Sequence, residues 1–322
     1  MKIDWWIPGS PSLLKGAGRY DKVSASVWIR CFQLLPELEA LGIDARVNPL
    51  AGGTPDAAVF SRRWSKRDLA RAEALKKRGC WIILDTPVNY FSDADLPPFR
   101  GTAKRDFMAF AETADLITCP SKHIAVSGGE RGFRVETLED SIDSALFAPR
   151  SPAETAAALE NPVLGWAGVA SKARELNILA EAIERNGWRF KIISNEPPEL
   201  DFPYEFVKWR HASFSAEIAE CAVGVFPRDF DNDYDRGHSF FKIGVFLSRH
   251  VPVVCSPVPS YAEIATPRNS RIVPALDPKA WETALASLLD SSWTPDFSEN
   301  PVERFTPRRI AEKLKTLLET TR

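Results

Sequence analysis

Two basic residues spaced for one helical face, His238 and Lys242, stand in the string Arg236-Gly237-His238-Ser239-Phe240-Phe241-Lys242, where a polar stretch gives way to an apolar one. Residues four apart on a helix share a face. Two such groups beside the N–H donors that open a helix can together hold a diphosphate, with Arg236 and Ser239 at the same entry. A solvated histidine and a lysine snorkelling from a buried helix explain the same residues without a ligand. The stretch 228–237 carries two arginines, four aspartates and two aromatics. Dense apolar runs flank it closely, which argues against disorder and for the rim of a site.

A second phosphate cradle is Ala167-Gly168-Val169-Ala170-Ser171-Lys172-Ala173-Arg174, directly after the apolar run 163–166. Small residues let backbone N–H groups approach a phosphate, and Lys172 or Arg174 adds a full charge. A plain strand-to-helix turn with solvated basic residues is the alternative. Glu263 follows the loop 257–262 and reads either as an acceptor for sugar or ribose hydroxyls or as an ordinary glutamate at a helix N-terminus. Asp85 ends the run Trp81-Ile-Ile-Leu-Asp85 and reads as a base, a sugar-hydroxyl acceptor or a cap on the turn with Pro87. No metal is expected. The alternation Asp229, Asp231, Asp233, Asp235 lacks the glycine and terminal glutamate of a calcium loop at their offsets. Five scattered cysteines show no ligand spacing and read as buried, inert thiols. Nucleophile-elbow, P-loop and metalloprotease motifs do not occur.

These residues need a scaffold that brings strand ends to one edge. Apolar runs at 2–7, 45–47, 57–61, 81–85, 116–119 and 135–138 alternate with helical spacing, and such runs mark strands buried on both faces of a parallel sheet. The spacing of Val27, Cys31, Leu34, Leu35, Leu38 and Leu41 predicts a helix that Pro36 kinks or splits and Gly42 ends. A turn is expected at Gly16-Ala17-Gly18-Arg19, and a helix over 65–77 with Gly79 as its stop. A βαβα order implies a doubly wound sheet whose ligands sit outside the carboxyl ends of the strands, near Asp85, Asn89, Tyr90 and Ser121. Prolines and alanines dominate 147–162, where a domain boundary is expected. A second cycle of strands and helices follows, closing with a helix near 307–320. The expected domains are 1–150 and 160–322.

A length of 322 residues suits two domains, and 44% hydrophobic residues allow each a core. A net charge of −2 gives no electrostatic reason to expect nucleic acid. The first residues form too short an apolar run for a signal peptide, and no stretch approaches a membrane span, so a cytoplasmic protein is expected. Peripheral contact with a membrane stays open, because an exposed aromatic or basic patch is not legible in a sequence.

The strings Val163-Leu-Gly-Trp-Ala-Gly168, Val207-Lys-Trp209, Gly224-Val-Phe-Pro227, Arg236-Gly-His-Ser-Phe-Phe-Lys242 and Pro252-Val-Val-Cys-Ser256 together resemble the C-terminal half of the GT-B glycosyltransferases of glycosyltransferase family four. More faintly, Phe60-Ser-Arg-Arg63, Ile83-Leu-Asp85, Asn89-Tyr-Phe91 and the segments 114–121, 139–143 and 147–149 resemble its N-terminal half. The resemblance implies an α/β, GT-B architecture: two Rossmann-like doubly wound domains facing across a cleft. It implies an N-terminal acceptor domain and a C-terminal domain holding a nucleotide-diphosphate sugar as donor substrate, without a cofactor or metal. It implies a retaining transfer to a glycan, glycolipid or protein-linked acceptor. Lys242 matches the family's lysine in its Lys-xx-(Glu/Gln) helix, His238 stands where members often carry lysine, and Lys172 and Arg174 fall at the first glycine-loop phosphate site. Three positions depart from the pattern: Val245 stands where a glutamate binds the donor ribose, Gly237 where its earlier partner falls, and His250 or Val251 where a glycine precedes the proline-valine strand. A nucleotide-sugar epimerase and a non-catalytic glycan- or partner-binding protein are the alternatives on the same fold.

Overall fold

The computed structural model of the chain describes residues 1–9, 19–50, 53–93, 102–298 and 302–320. The turn expected at 16–19 lies, but for Arg19, outside them. The chain divides into two compact units. The first comprises Met1–Ser141, Asn232–Ser239 and Phe305–Arg322, and the second Ile142–Asp231 and Phe240–Arg304.

Each unit is built on one parallel sheet. The first contains β1 (Lys2–Trp6), β2 (Asp44–Val47), β3 (Ala57–Ser61), β4 (Trp81–Asp85), β5 (Leu116–Cys119) and β6 (Val135–Thr137), in the order β2-β1-β3-β4-β5-β6. The second contains β7 (Val163–Gly168), β8 (Arg189–Ser194), β9 (Glu205–Lys208), β10 (Val223–Phe226), β11 (Val253–Cys255) and β12 (Ser270–Ile272), in the order β12-β11-β10-β7-β8-β9. Counted within its own unit, the second order is the Rossmann sequence three-two-one-four-five-six, and the first reverses direction at β1. Central strands such as β3, β5 and β10 are buried at every residue, which is why they read as mainly apolar runs. The edge strand β9 exposes Glu205, Phe206 and Lys208.

Helix boundaries follow local chemistry. Ser65 and Asp68 form a reciprocal cap on the helix Lys66–Lys76, and Gly79 beyond it takes a left-handed φ of 81°. The helix expected from the spacing of Val27 to Leu41 is split into three pieces: Ala25–Val27, a π turn at Trp28–Phe32, and Leu35–Ala40 with Pro36 in its first turn. Proline is tolerated there because the N–H it lacks has no intrahelical partner in any case.

Two segments expected in other roles differ. The stretch 147–162 contains the helix Pro152–Glu160, capped reciprocally by Ser151 and Glu154, and the unit boundary falls earlier, between Ser141 and Ile142. The closing helix Pro307–Thr320, expected in the second domain, belongs to the first unit. Ile310, Leu314 and Leu318 repeat every four residues and form its buried stripe, it packs on Leu35–Ala40, and Lys313 Nζ reaches the Glu139 carboxylate at 2.8 Å.

His250, at the turn into β11, adopts a left-handed φ of 57°, which makes it, of the two positions where the resemblance expects glycine, the one that takes a glycine-like backbone. Its ring stacks on Phe297 at 4.6 Å and 3°. Burial, and then the charges of Arg150 and Arg249, hold its pKa below the ordinary histidine value. The unfolded chain therefore binds a proton that the folded chain resists, so this contribution to stability is complete above the unfolded pKa of about 6.5 and is lost as pH falls through the folded value. The thermal midpoint of His250→Asn, which retains a residue tolerant of that backbone, is expected to fall less on acidification from about pH 7 to about pH 5 than that of the parent. An equal fall in both would remove His250 from the pH response.

Candidate functional site

In the second unit, the carboxyl ends of the strands are tied together by short polar contacts. Asn195, directly after β8, accepts from Ala170 N–H at 3.0 Å, and Ser194 Oγ reaches it at 3.2 Å. Ser256, directly after β11, accepts from Arg228 N–H beyond β10 at 2.9 Å. Sequence reasoning passed over Asn195 and treated Ser256 only as part of a motif. A polar residue immediately after an apolar strand is the signal that marks both.

Lys242 lies in the first turn of Phe241–Ser248, a helix otherwise buried at every position. Its Nζ is buried, 4.9 Å from the Trp166 ring centroid. A Cβ built on Gly168, the last residue of β7, would lie 2.6 Å from that Nζ and 2.6 Å from the Trp166 ring. Real Cβ contacts do not come this close, so the absence of a side chain at 168 is what lets the ammonium group reach the strand end. The structure thus brings together two of the residues singled out in the sequence, Lys242 and Gly168.

The rest of that loop differs from expectation. A helix directly after Gly168 would have aimed its N-terminus at a phosphate. Instead the chain makes the 3-10 turn Ala170–Lys172 and the 3-10 helix Arg174–Leu179 before the short α-helix Ala180–Asn186. The weak dipole of such pieces leaves side-chain charge as the means of holding an anion: Lys172 is half-buried and Arg174 exposed. Glu263 follows the single turn Pro259–Ala262 as its C-cap, so it does not complement a helix N-terminus. Its backbone carbonyl accepts from Arg304 Nη2 at 2.8 Å.

Arg236, Ser239 and His238 belong to the first unit, whereas Lys242 belongs to the second. His238 precedes the helix that carries Lys242, so their four-residue spacing does not place them on one helical face. The buried His238 ring instead packs edge-on against Tyr234 at 5.1 Å, with Nδ1 3.1 Å from the Tyr234 carbonyl. The segment Asn232–Ser239 holds the short helix Asp233–Arg236, and Asn232 caps it through Asp235 N–H. Asn89 donates to the Asp233 carbonyl at 3.1 Å and Ser121 to the Gly237 carbonyl at 2.9 Å. The polar stretch is therefore fastened to the first unit by two residues that topology had placed at its strand ends.

Both missing glutamates have a physical account. A Cβ at Gly237 would meet Asn89 Cβ at 2.9 Å and Ile124 Cγ1 at 3.0 Å. Val245 is fully buried in its helix, where a carboxylate would be desolvated without a partner. The glycine position has no room for a side chain, and at the valine position burial disfavours a charged one.

Asp85 is corrected outright. It is 1% exposed and accepts from Arg30 Nη2 at 2.6 Å, Arg30 Nε at 3.1 Å, Ser61 Oγ at 2.7 Å and Thr118 Oγ1 at 2.8 Å. Ser61 and Thr118 flank it in register on β3 and β5. Arg30, on the π turn, also donates to Asp140 Oδ1 and the Leu138 carbonyl, each at 2.8 Å. Burial by itself would lower the Arg30 pKa, but the Asp85 and Asp140 carboxylates more than offset it and hold the guanidinium charged. With its acceptor positions filled and no path to solvent, Asp85 is a strut joining β3, β4 and β5 to the turn Trp28–Phe32, not a contact for sugar. Tyr90 likewise lies in the core, stacked on Phe107 at 5.0 Å. All five cysteines are buried, and burial pushes the Cys119, Cys221 and Cys255 thiols up to about 12, too high to furnish a thiolate near neutrality.

No family model and no curated protein matches the chain. Among solved structures it is similar to Anabaena HepE in complex with UDP, with a TM-score of 0.67 and 13% identity over 99% of both chains. The HepE complex with UDP-glucose gives the same score and identity over 99% of this chain and 100% of that one. The UDP-GlcNAc 2-epimerase from Methanocaldococcus jannaschii aligns over 99% of both chains at a TM-score of 0.55 and 12% identity. A UDP-forming trehalose-phosphate synthase from Burkholderia xenovorans aligns over 95% of this chain and 80% of its own at 0.56 and 12%. With the two sheet orders, these likenesses establish the GT-B fold of two Rossmann-like units. Among the described residues no helix is long and apolar enough to cross a membrane.

Proposed function

We propose that the chain is a glycosyltransferase whose second unit holds a nucleotide-diphosphate sugar and whose first unit receives a glycan, glycolipid or protein-linked acceptor. The observation that carries this reading is the Lys242 ammonium lodged against the side-chain-free backbone of Gly168. Gly168 ends β7, beside the β7–β10 switch point, where doubly wound sheets bind ligands. Cleavage of the sugar–phosphate bond develops negative charge on the departing diphosphate. A fixed ammonium group, with Lys172 and Arg174 on the adjoining turns, neutralises that charge without a metal. The HepE complexes with UDP and UDP-glucose support uridine nucleotides as the first donors to examine. Retention of anomeric configuration belongs to the same reading.

A nucleotide-sugar epimerase is the second reading, favoured by the end-to-end likeness to the UDP-GlcNAc 2-epimerase. It would use the same grip on the diphosphate. Calorimetric titration of the intact chain with UDP tests that shared premise: saturable heat at one site is expected, and the absence of binding would count against both readings.

A further inference from the structure

We propose that a cavity in the first unit is a binding site for a phosphate group, and that it anchors a phosphate-bearing acceptor. The cavity, about 400 Å³, is lined by Trp6, Asn48, Leu50, Arg63, Arg67 and Arg71 among others. Trp6 ends β1, Asn48 directly follows β2, and Arg63 lies two residues past β3. In the order β2-β1-β3 the chain reverses at β1, so these residues gather at the switch point of the first sheet, on the carboxyl side where such sheets take ligands.

The walls are braced before any ligand arrives. Asn48 holds a left-handed φ of 44°, accepts from Ile7 N–H at 3.0 Å and donates to the carbonyls of Ile7 at 3.1 Å and Gly9 at 3.2 Å. Arg63 donates to the same Ile7 carbonyl at 3.2 Å and pairs with Asp68 at 2.5 Å. Arg67 and Arg71, one turn apart on Lys66–Lys76, form no ion pair among the described residues. Arg71 lies over the Trp6 ring at 4.0 Å, which fixes its guanidinium plane.

Charge decides the ligand class. Three guanidinium groups against the one carboxylate of Asp68 leave two positive charges on this wall. A carboxylate would neutralise one of them, whereas a phosphate monoester, at about −1.5 to −2 near pH 7, meets both. Burial, and then the charges of Arg63 and Arg67, lower the Arg71 pKa although the Asp68 carboxylate opposes them, the mark of like charges crowded with too little counter-charge. Planar guanidinium forks suit phosphate oxygens in bidentate geometry. The phosphate can come from a soluble sugar phosphate or from a lipid. Leu50, 91% exposed on the cavity wall, is the reason for testing the lipid.

The anchoring role rests on the transferase reading, while the binding rests on the cavity alone. Intact protein saturated with UDP is titrated with glucose 1-phosphate, and co-sedimentation with vesicles of phosphatidylcholine and phosphatidic acid is measured beside vesicles of phosphatidylcholine only. The double variant Arg67→Gln, Arg71→Gln is expected to lose about tenfold or more in phosphate affinity, the worth of one or two charge-assisted hydrogen bonds. UDP affinity and thermal midpoint should stay unchanged, which shows that the variant is folded. Arginine-dependent binding of glucose 1-phosphate alone assigns the phosphate to a soluble acceptor; arginine-dependent sedimentation with phosphatidic acid assigns it to a lipid. Equal affinity in parent and variant, or no binding of either probe by the parent, overturns the proposal. Failure to bind UDP would overturn the donor reading instead, because the phosphate probes report on the first unit directly.

Discussion

Replacing Lys242 by methionine is expected to lower turnover of a nucleotide sugar about 10²- to 10³-fold, the usual loss when one preorganised donor to a developing charge is removed. Methionine keeps an unbranched apolar stem of similar length, so packing on Trp166 is largely retained and the thermal midpoint should move little. UDP affinity should fall about tenfold, because the ground-state diphosphate also meets the ammonium group. A larger loss in kcat than in UDP affinity marks a group that acts mainly on the departing diphosphate. Unchanged turnover and affinity would remove Lys242 from the site. Gly168→Ala approaches the same point from the other side: its methyl group must displace the Lys242 ammonium or the Trp166 ring, and a partial loss of turnover is the expected result.

Replacing Arg30 by methionine is expected to destabilise the fold by about 3–5 kcal/mol, because the Asp85 carboxylate would stay buried with its principal counter-charge gone. Denaturant unfolding of the first unit measures this. Ser61 and Thr118 would still donate to Asp85 but cannot offset its charge. Adding Asp85→Asn should recover part of the loss, since a neutral amide costs less to bury unpaired than a carboxylate. Strict additivity of the two changes would contradict direct coupling of the pair. A loss of about 1 kcal/mol or less for Arg30→Met would place the network among exposed pairs of little worth, contrary to its burial.

The parts legible in the sequence are those that depend on near neighbours. Strands such as Ala57–Ser61 and Val223–Phe226 announce themselves because both faces are covered and nearly every residue is apolar or small. The cap at Ser65 and the stop at Gly79 are set by residues within a few positions. Gly168 could be singled out because small residues after an apolar strand have few uses. What sequence reasoning missed depends on distant partners. Asp85 resembles any strand-end carboxylate until Arg30, 55 residues earlier, turns inward on a π turn to meet it. His238 and Lys242 have helical spacing, but the helix begins only at Phe241, after the chain has crossed from one unit to the other. The closing helix reads as the end of the second domain, and only its packing on Leu35–Ala40 assigns it to the first. The arginines of the cavity gave little signal, because Arg63 follows a strand and Arg67 and Arg71 look like the solvated face of a helix.

Turnover of nucleotide sugars tests the central claim most directly. Intact protein is incubated with UDP-glucose, UDP-GlcNAc and related donors, with soluble and lipid-linked saccharides as acceptors, and both released nucleoside diphosphate and the recovered nucleotide sugar are analysed. The account predicts diphosphate release that depends on an added acceptor and falls in Lys242→Met. An altered sugar recovered still attached to its nucleotide would assign the chain to epimerisation, and no turnover of any donor, with parent and Lys242→Met alike, would contradict the transferase reading.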